Sequence, residues 1–347
     1  MIDLEVSMII LDKPKNGEVI NLQKKYQARF IAGNHTRTSG CDENDEDWFD
    51  AQSEVDDGTR PLPVRFEWQG EGFVLELSTS ADMKNAKEYA VCGNSVELYN
   101  LPVGKSYYWR VRGEEVSDVR RFYILDRTPR TLYVDGVWNM RDLGGYKADG
   151  GRVKYGMLYR GAAFEDLADK RFEITPEGVM AIMDIGLRTE VDFRVEAPEE
   201  RELTKEVMKD SGVNRLGCDC EMYDKIFPRQ EFRESQAEFI RLLTREETYP
   251  LFFHCYAGAD RTGTFAYIIG SILGVDEKDL IDDYEFTTLC PHGSRGRNSD
   301  EWKAFMAQLA KYDGESNQER VVNALKEYFG ITEEELQRIR DILIEKI

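Results

Sequence analysis

Two periodicities divide the chain. In its first third, apolar and polar residues alternate along Val64-Arg65-Phe66-Glu67-Trp68, Phe73-Val74-Leu75-Glu76-Leu77 and Tyr107-Tyr108-Trp109-Arg110-Val111-Arg112, with Gly, Asn and Pro between the runs. A period of two punctuated by turn residues predicts half-buried strands, and several of them predict a β-sandwich. Asp126-Arg127-Thr128-Pro129-Arg130 interrupts the pattern and reads as a linker, giving domains 1–126 and 127–347. Beyond it the pattern becomes α/β. Thr175-Pro176 supplies an N-cap and a first-turn proline, Val179 to Ile185 an apolar face, and Gly186 a stop. Strands are predicted over Glu190-Val191-Asp192-Phe193-Arg194 and Val213 to Leu216, a helix over about Glu231 to Arg245, and a buried strand over the apolar run that ends at His254. An all-round apolar segment, Phe265 to Leu273, follows as a buried helix, and four further helical stretches follow it. The last opens on Thr332-Glu333-Glu334-Glu335, a capping box.

Length and charge narrow the reading. The 347 residues suffice for two cores. Lys and Arg number 46 against 66 Asp and Glu, a formal charge of −20, which argues against nucleic acid or an anionic membrane as a partner. An anionic substrate must then be attracted locally. Six cysteines without regular spacing and three histidines suggest neither a disulfide framework nor a metal site, and Cys218-Asp219-Cys220 reads as an inert pair. The acidic run from Cys41 to Asp57 reads as a solvated loop. No stretch reaches membrane-spanning length and the start lacks a leader pattern, so a cytoplasmic setting without cofactor is expected, a mature secreted form being the alternative.

The chemistry concentrates in His254-Cys255-Tyr256-Ala257-Gly258-Ala259-Asp260-Arg261-Thr262-Gly263, between the buried strand and the buried helix. A loop ending at a helix start turns backbone N–H groups toward one point and forms an anion site. Cys255 would sit in that bowl as the candidate nucleophile. Arg261 offers the planar fork that grips two phosphate oxygens. None of the other five cysteines has an Arg six residues on.

His254-Cys255-x5-Arg261-Thr262 resembles the signature of the protein tyrosine phosphatase superfamily. Asn139-Met140-Arg141-Asp142-Leu143-Gly144-Gly145-Tyr146, with Tyr159-Arg160-Gly161 after it, resembles the opening of its bacterial branch of secreted tyrosine and phosphoinositide phosphatases. The resemblance covers about Pro129 to Ile347 and implies an α/β phosphatase domain with a mostly parallel central sheet. Leu101-Pro102-Val103-Gly104-Lys105-Ser106-Tyr107 resembles the tyrosine-corner segment of fibronectin type III modules, an immunoglobulin-like sandwich.

These resemblances imply a cysteinyl-phosphate intermediate on Cys255, with residues 256–262 cradling the phosphate. His254, Arg141, Asp142 and Arg160 would support the loop. Asp192, in an Asp-x-Arg strand end, and Asp260, before the signature Arg, are both candidates for the general acid, with Asp219 and Asp224 behind them. The branch often carries Lys where this chain has Ala259, which removes a cation from the rim unless Arg295 and Arg297 replace it. The expected substrate is phosphotyrosine in proteins or a small phosphate monoester. The alternatives are a phosphoinositide or inositol phosphate phosphatase and a non-catalytic phosphate binder, and the first domain would bind a protein or pack on the second.

Overall fold

A computed structural model of the chain describes residues 8–33, 57–165, 173–194, 206–290 and 295–346. Most of the acidic run after Cys41 lies outside them. The chain divides into two compact units, and the division is not a single cut at the linker. The first unit comprises residues up to Lys24 together with Pro61–Arg127, whereas Lys25–Arg60 belongs with the second unit, which runs on from Thr128. The cause is local packing of that excursion, set out below.

In the first unit, β1 (Ile10–Lys13), β3 (Val64–Gln69) and β6 (Ser95–Leu98) form one antiparallel sheet. The strands β2 (Glu18–Ile20), β4 (Gly72–Ser78), β5 (Lys87–Ala90), β7 (Lys105–Gly113) and β8 (Arg120–Ile124) form a second, ordered β2-β8-β7-β4-β5. Alternation puts Val64, Phe66 and Trp68 of β3 inward and leaves Arg65 and Gln69 exposed. Phe66 meets Trp109 of β7 edge-on at 5.1 Å and Phe122 of β8 at 5.8 Å, so the two sheets share an aromatic core. The Tyr107 hydroxyl donates to the Pro102 carbonyl at 2.7 Å.

The second unit is α/β. Its six-stranded sheet has the order β15-β14-β16-β13-β10-β9, from β9 (Arg130–Thr131), β10 (Arg141–Asp142), β13 (Leu158–Gly161), β14 (Thr189–Asp192), β15 (Asn214–Gly217) and β16 (Leu251–His254). The four from β13 to β16 are mutually parallel, and β9 and β10 run antiparallel at one edge. A small sheet joins β11 (Lys147–Ala148), β12 (Gly151–Val153) and β17 (Ile344–Glu345).

Eight α-helices accompany these strands among the described residues: α1 (Lys25–Ala32), α2 (Pro176–Asp184), α3 (Arg233–Leu242), α4 (Asp260–Ile272), α5 (Glu277–Phe286), α6 (Asp300–Leu309), α7 (Asn317–Phe329) and α8 (Glu333–Leu343). Caps fix several ends: the Thr175 hydroxyl accepts from Gly178 N, and Thr332 and Glu335 satisfy each other's backbone N–H.

The central strand β16, Leu251-Phe252-Phe253-His254, is apolar on both faces because both are covered. Leu251 and Phe253 of β16 join Val191, Phe193 and residues of α3, α4, α6, α7 and α8 in the larger core. Phe252 points the other way, among Leu132, Tyr159, Phe164 and Ile182. Helix α4 is buried along its length from Thr262. The excursion is anchored here as well: Phe30 of α1 packs among Phe286 and Leu289, and Gln27 Nε2 donates to the carbonyls of Gly58 and Arg60.

Candidate active site

The register of β14 and β16 pairs Asp192 with His254, and that of β13 pairs Gly161 with His254, so three strands end level with Cys255. Carboxyl ends of parallel strands are where α/β sheets hold their ligands. The chain leaves β16, turns through Cys255–Ala259 and enters α4 at Asp260.

The carbonyls of this turn are all engaged on its outer side. Cys255 O faces His254 Nδ1 at 3.1 Å, Tyr256 O accepts from Ala163 N at 2.9 Å, and Ala257 O accepts from Asn139 Nδ2 at 3.0 Å. Gly258 O accepts from Arg160 Nη2 at 2.7 Å, and Ala259 O from Gly263 N at 2.9 Å. In a trans peptide the N–H lies opposite the C=O, so five carbonyls held outward aim the N–H groups of residues 256–260 inward. The α4 N-terminus adds its dipole to the same bowl. Gly258 is required twice over: its φ is +65°, and a Cβ there would lie 2.2 Å from Gly161 O.

Cys255 and Ala259 are buried in this turn, and Arg261 Nη1 donates to Phe193 O at 3.3 Å at the end of β14. The Thr262 hydroxyl is buried with no hydrogen-bond partner among the described residues. Because the Ala259 methyl is fully buried, a lysine at that position could not simply extend from an open rim.

A web of charges behind the turn sets the outward bonds. Asp283 of α5 accepts from Arg141 Nε at 2.7 Å and Arg160 Nη1 at 2.6 Å, all three side chains being buried. Burial opposes ionisation of Asp283, but the two guanidinium groups outweigh it and hold its carboxyl below the usual range. Burial, with Arg141 alongside, lowers the Arg160 pKa to about 10. Arg141 Nη1 also fixes Asn139 through its Oδ1 at 2.5 Å, and Asn139 N donates to Asp57 Oδ2 at 3.0 Å. Asn139 is fully buried with φ +58°, in the left-handed region that asparagine enters more readily than most residues.

His254 is buried between Glu190, which it meets through Nε2 at 2.8 Å, and Cys255 O. Burial opposes the Glu190 charge, yet His254 and Arg215 hold its carboxyl low. Asp142 lies one step from the bowl. It accepts from Arg130, Gly144 N and Gly156 N at 2.8 Å each, and burial pushes its carboxyl up despite Arg130.

The acid candidates separate by environment. Both oxygens of Asp192 are taken by Arg194, at 3.0 Å from Nε and 2.9 Å from Nη2, in a buried pair. Burial resists the Asp192 charge, but His254 and Arg194 keep its carboxyl low. The Asp260 side chain is 29% exposed and accepts from Arg295 Nε at 2.7 Å and from Tyr223 OH at 2.5 Å. Asp219 is exposed, and Asp224 sits in a 3₁₀ turn, Tyr223–Lys225. Arg297 is bound to Glu285 and Asp282.

Asp57, expected in a solvated loop, is instead buried because it accepts from Asn139 N; sequence reading assigns no role to Glu190, Asp283, Tyr223 and Asn139. Only Asn139 carried a signal, its place two residues before Arg141.

The model of a tyrosine phosphatase family matches residues 132–345, more than half of the chain. The chain belongs to that family. A candidate tyrosine-protein phosphatase of Cupriavidus necator is 32% identical over 180 residues, 44% of this chain and 61% of that protein, so the chain spans about three fifths of that relative's length. Two solved structures are similar at lower levels. The catalytic core of the PP-IP phosphatase SIW14 of S. cerevisiae has a TM-score of 0.30 and 13% identity, covering 54% of this chain and 91% of that one. A candidate phosphatase of Neisseria meningitidis has a TM-score of 0.27 and 17% identity, covering 48% and 93%. At these scores neither bears on the substrate. No described helix is long and apolar enough to cross a membrane.

Proposed function

We propose that the second unit hydrolyses phosphate monoesters through a phosphocysteine on Cys255, with phosphotyrosine in proteins as the leading substrate. The observation that carries this reading is the set of five outward carbonyls between Cys255 and Ala259, which commits the intervening N–H groups to a single anion beside the thiol. Cys255 Sγ attacks phosphorus as the P–O bond to the leaving group breaks, and Arg261 with the N–H groups holds the equatorial oxygens. Asp260, half-exposed beside Arg261, gives the leaving oxygen its proton. It then takes one from the water that attacks phosphorus as the S–P bond breaks. Asp192, whose side chain is 4% exposed against 29% for Asp260, serves as support instead.

The charge pattern favours a singly phosphorylated group. Arg141, Arg160, Arg194, Arg295 and Arg297 each bind a carboxylate, so a second phosphate would have to compete for a cation already engaged. The first unit is read as a fibronectin type III-like module, supported by its two sheets and the Tyr107–Pro102 bond. The five described cysteines are all free thiols, which suits a reducing, cytoplasmic setting.

The test is hydrolysis of p-nitrophenyl phosphate, a phosphotyrosine peptide and a phosphoinositide in EDTA with reductant. The reading requires metal-independent turnover and a higher kcat/KM for the peptide than for the phosphoinositide. No turnover would leave a phosphate binder, and a preference for the phosphoinositide would overturn the substrate assignment.

A further inference from the structure

The carboxylate of Asp260 is gripped from two directions by groups distant in sequence. Arg295 closes a two-point fork on it, Nε to Oδ1 at 2.7 Å and Nη2 to Oδ2 at 2.9 Å. The backbone that delivers Arg295 is itself fixed, since the buried Thr288 hydroxyl bonds both Arg295 N, at 3.0 Å, and Arg295 O, at 2.9 Å. Tyr223 OH donates to the same Asp260 Oδ1, while the Tyr284 hydroxyl lies 2.7 Å from that of Tyr223.

Tyr223 reaches this position at a cost. Its φ is +53°, a left-handed conformation that an aromatic residue seldom adopts, and its N–H is held by Thr264 Oγ1 at 3.2 Å. That hydroxyl in turn donates to Asp260 O at 2.8 Å. Strain of this kind persists only where the surroundings over-determine it, and here they converge on one carboxylate.

We propose that Arg295 and Tyr223 form a clamp that aims the Asp260 carboxylate at the leaving group, making them positioning residues for proton transfer. The proposal rests on Asp260 being the acid. A carboxylate next to Arg261 would otherwise fold onto that guanidinium and block the fork meant for phosphate; its bonds to Arg295 and Tyr223 compete with that contact. The clamp also acts on charge. Burial resists ionisation of Asp260, but Arg295, Tyr223 and Arg261 outweigh it and keep the carboxyl low in the empty enzyme. Tyr284 stands behind Tyr223, its own pKa raised to about 12 by burial. A phosphate dianion entering the bowl adds like charge beside Asp260 and favours the proton. The basic limb of kcat, set in the complex, therefore lies at higher pH than that of kcat/KM.

The experiment compares Arg295→Ala, Arg295→Lys, Tyr223→Phe and Asp260→Asn in the full chain, with circular dichroism to show that each is folded. Phenyl phosphate, a poor leaving group, is set against p-nitrophenyl phosphate, each as a pH profile. Arg295→Ala should move the basic limb of kcat/KM upward, and Arg295→Lys, which keeps the charge without the fork, should return it toward the parent. Tyr223→Phe should lower kcat for phenyl phosphate by roughly tenfold while sparing p-nitrophenyl phosphate and KM, the pattern of a misaimed proton donor. Asp260→Asn should flatten the limb altogether. A parent-like limb in Asp260→Asn overturns the acid assignment and the clamp with it. A flattened limb there, with parent limb and leaving-group ratio in the Arg295 and Tyr223 variants, overturns the clamp alone.

Discussion

Asp57 precedes the linker by some seventy residues, yet its removal should be felt in the phosphate loop. Its Oδ2 accepts from the Asn139 N–H at 3.0 Å, and its Oδ1 from Thr59 N and Oγ1 at 2.9 and 2.6 Å. Asn139 in turn holds the carbonyls of Ala257 and Gly258 outward. In Asp57→Ala the fully buried Asn139 N–H loses its acceptor, which costs about 1–3 kcal/mol. For a unit of this size that is a fall of roughly 2–12 °C in Tm, at about 2–4 °C per kcal/mol. Asp57→Asn keeps an oxygen acceptor and should lose less. Relaxing Asn139 also frees two loop carbonyls, so kcat/KM should drop about tenfold in Asp57→Ala as the N–H groups lose their aim. The assays are thermal unfolding, steady-state hydrolysis of p-nitrophenyl phosphate and inhibition by inorganic phosphate. A fragment beginning at Thr128 lacks both Asp57 and the Phe30 contact, and should be weaker still in all three. Parent Tm and parent kinetics in Asp57→Ala would refute the brace, and with it the role given to Lys25–Arg60.

Cys255→Ser should abolish turnover while keeping phosphate binding, measured by calorimetry, because the N–H bowl is untouched. Arg261→Lys should lose about 100-fold in kcat/KM, since an ammonium cannot bridge two oxygens. Gly258→Ala sets a Cβ 2.2 Å from Gly161 O at φ +65°, and should cost both stability and all activity even though it adds one methyl. The Glu190 carboxyl is held low in the folded chain, so its contribution is present above the unfolded pKa near ~4.3 and is lost as pH falls through the folded value. Glu190→Gln should therefore lower stability at neutral pH and weaken its acid dependence, as urea titrations at several pH values would show.

What could be read from the sequence was local. Cys255 and Arg261 stand out because strand, loop and helix follow one another without a gap, and Thr175 and Thr332 because a cap is satisfied within three residues. The Arg194 fork on Asp192 was within reach too, two residues away. The charge web was not legible. Arg160 reaches Gly258 across 98 positions and Arg141 reaches Asp283 across 142, and nothing in composition or period ties such pairs together. Asp57 was hidden in plain view, as the end of an acidic run that reads as solvated, and the membership of α1 was hidden with it. Ala259 was legible as a departure from its family's pattern but not as buried, since burial of a loop residue depends on what the rest of the chain lays over it.

The acidity of the chain and the chemistry of its site are not in conflict, because the two act over different distances. A formal charge of −20 spread over the surface is screened beyond about 8 Å at physiological salt, whereas the bowl's donors act at hydrogen-bond range. Inside that range the chain spends its arginines in pairs with carboxylates: Asp283 takes two, and Asp192, Asp260 and Glu285 take one each. Each pair fixes geometry and cancels its own charge, so on the proposed reading attraction for a dianion falls, among the described residues, to Arg261, the N–H groups and the α4 terminus. A site of that kind would favour one phosphate over two. Its selectivity among monoesters must then come from the part of the substrate that lies beyond phosphorus, against the surface that carries Arg295 and Tyr223.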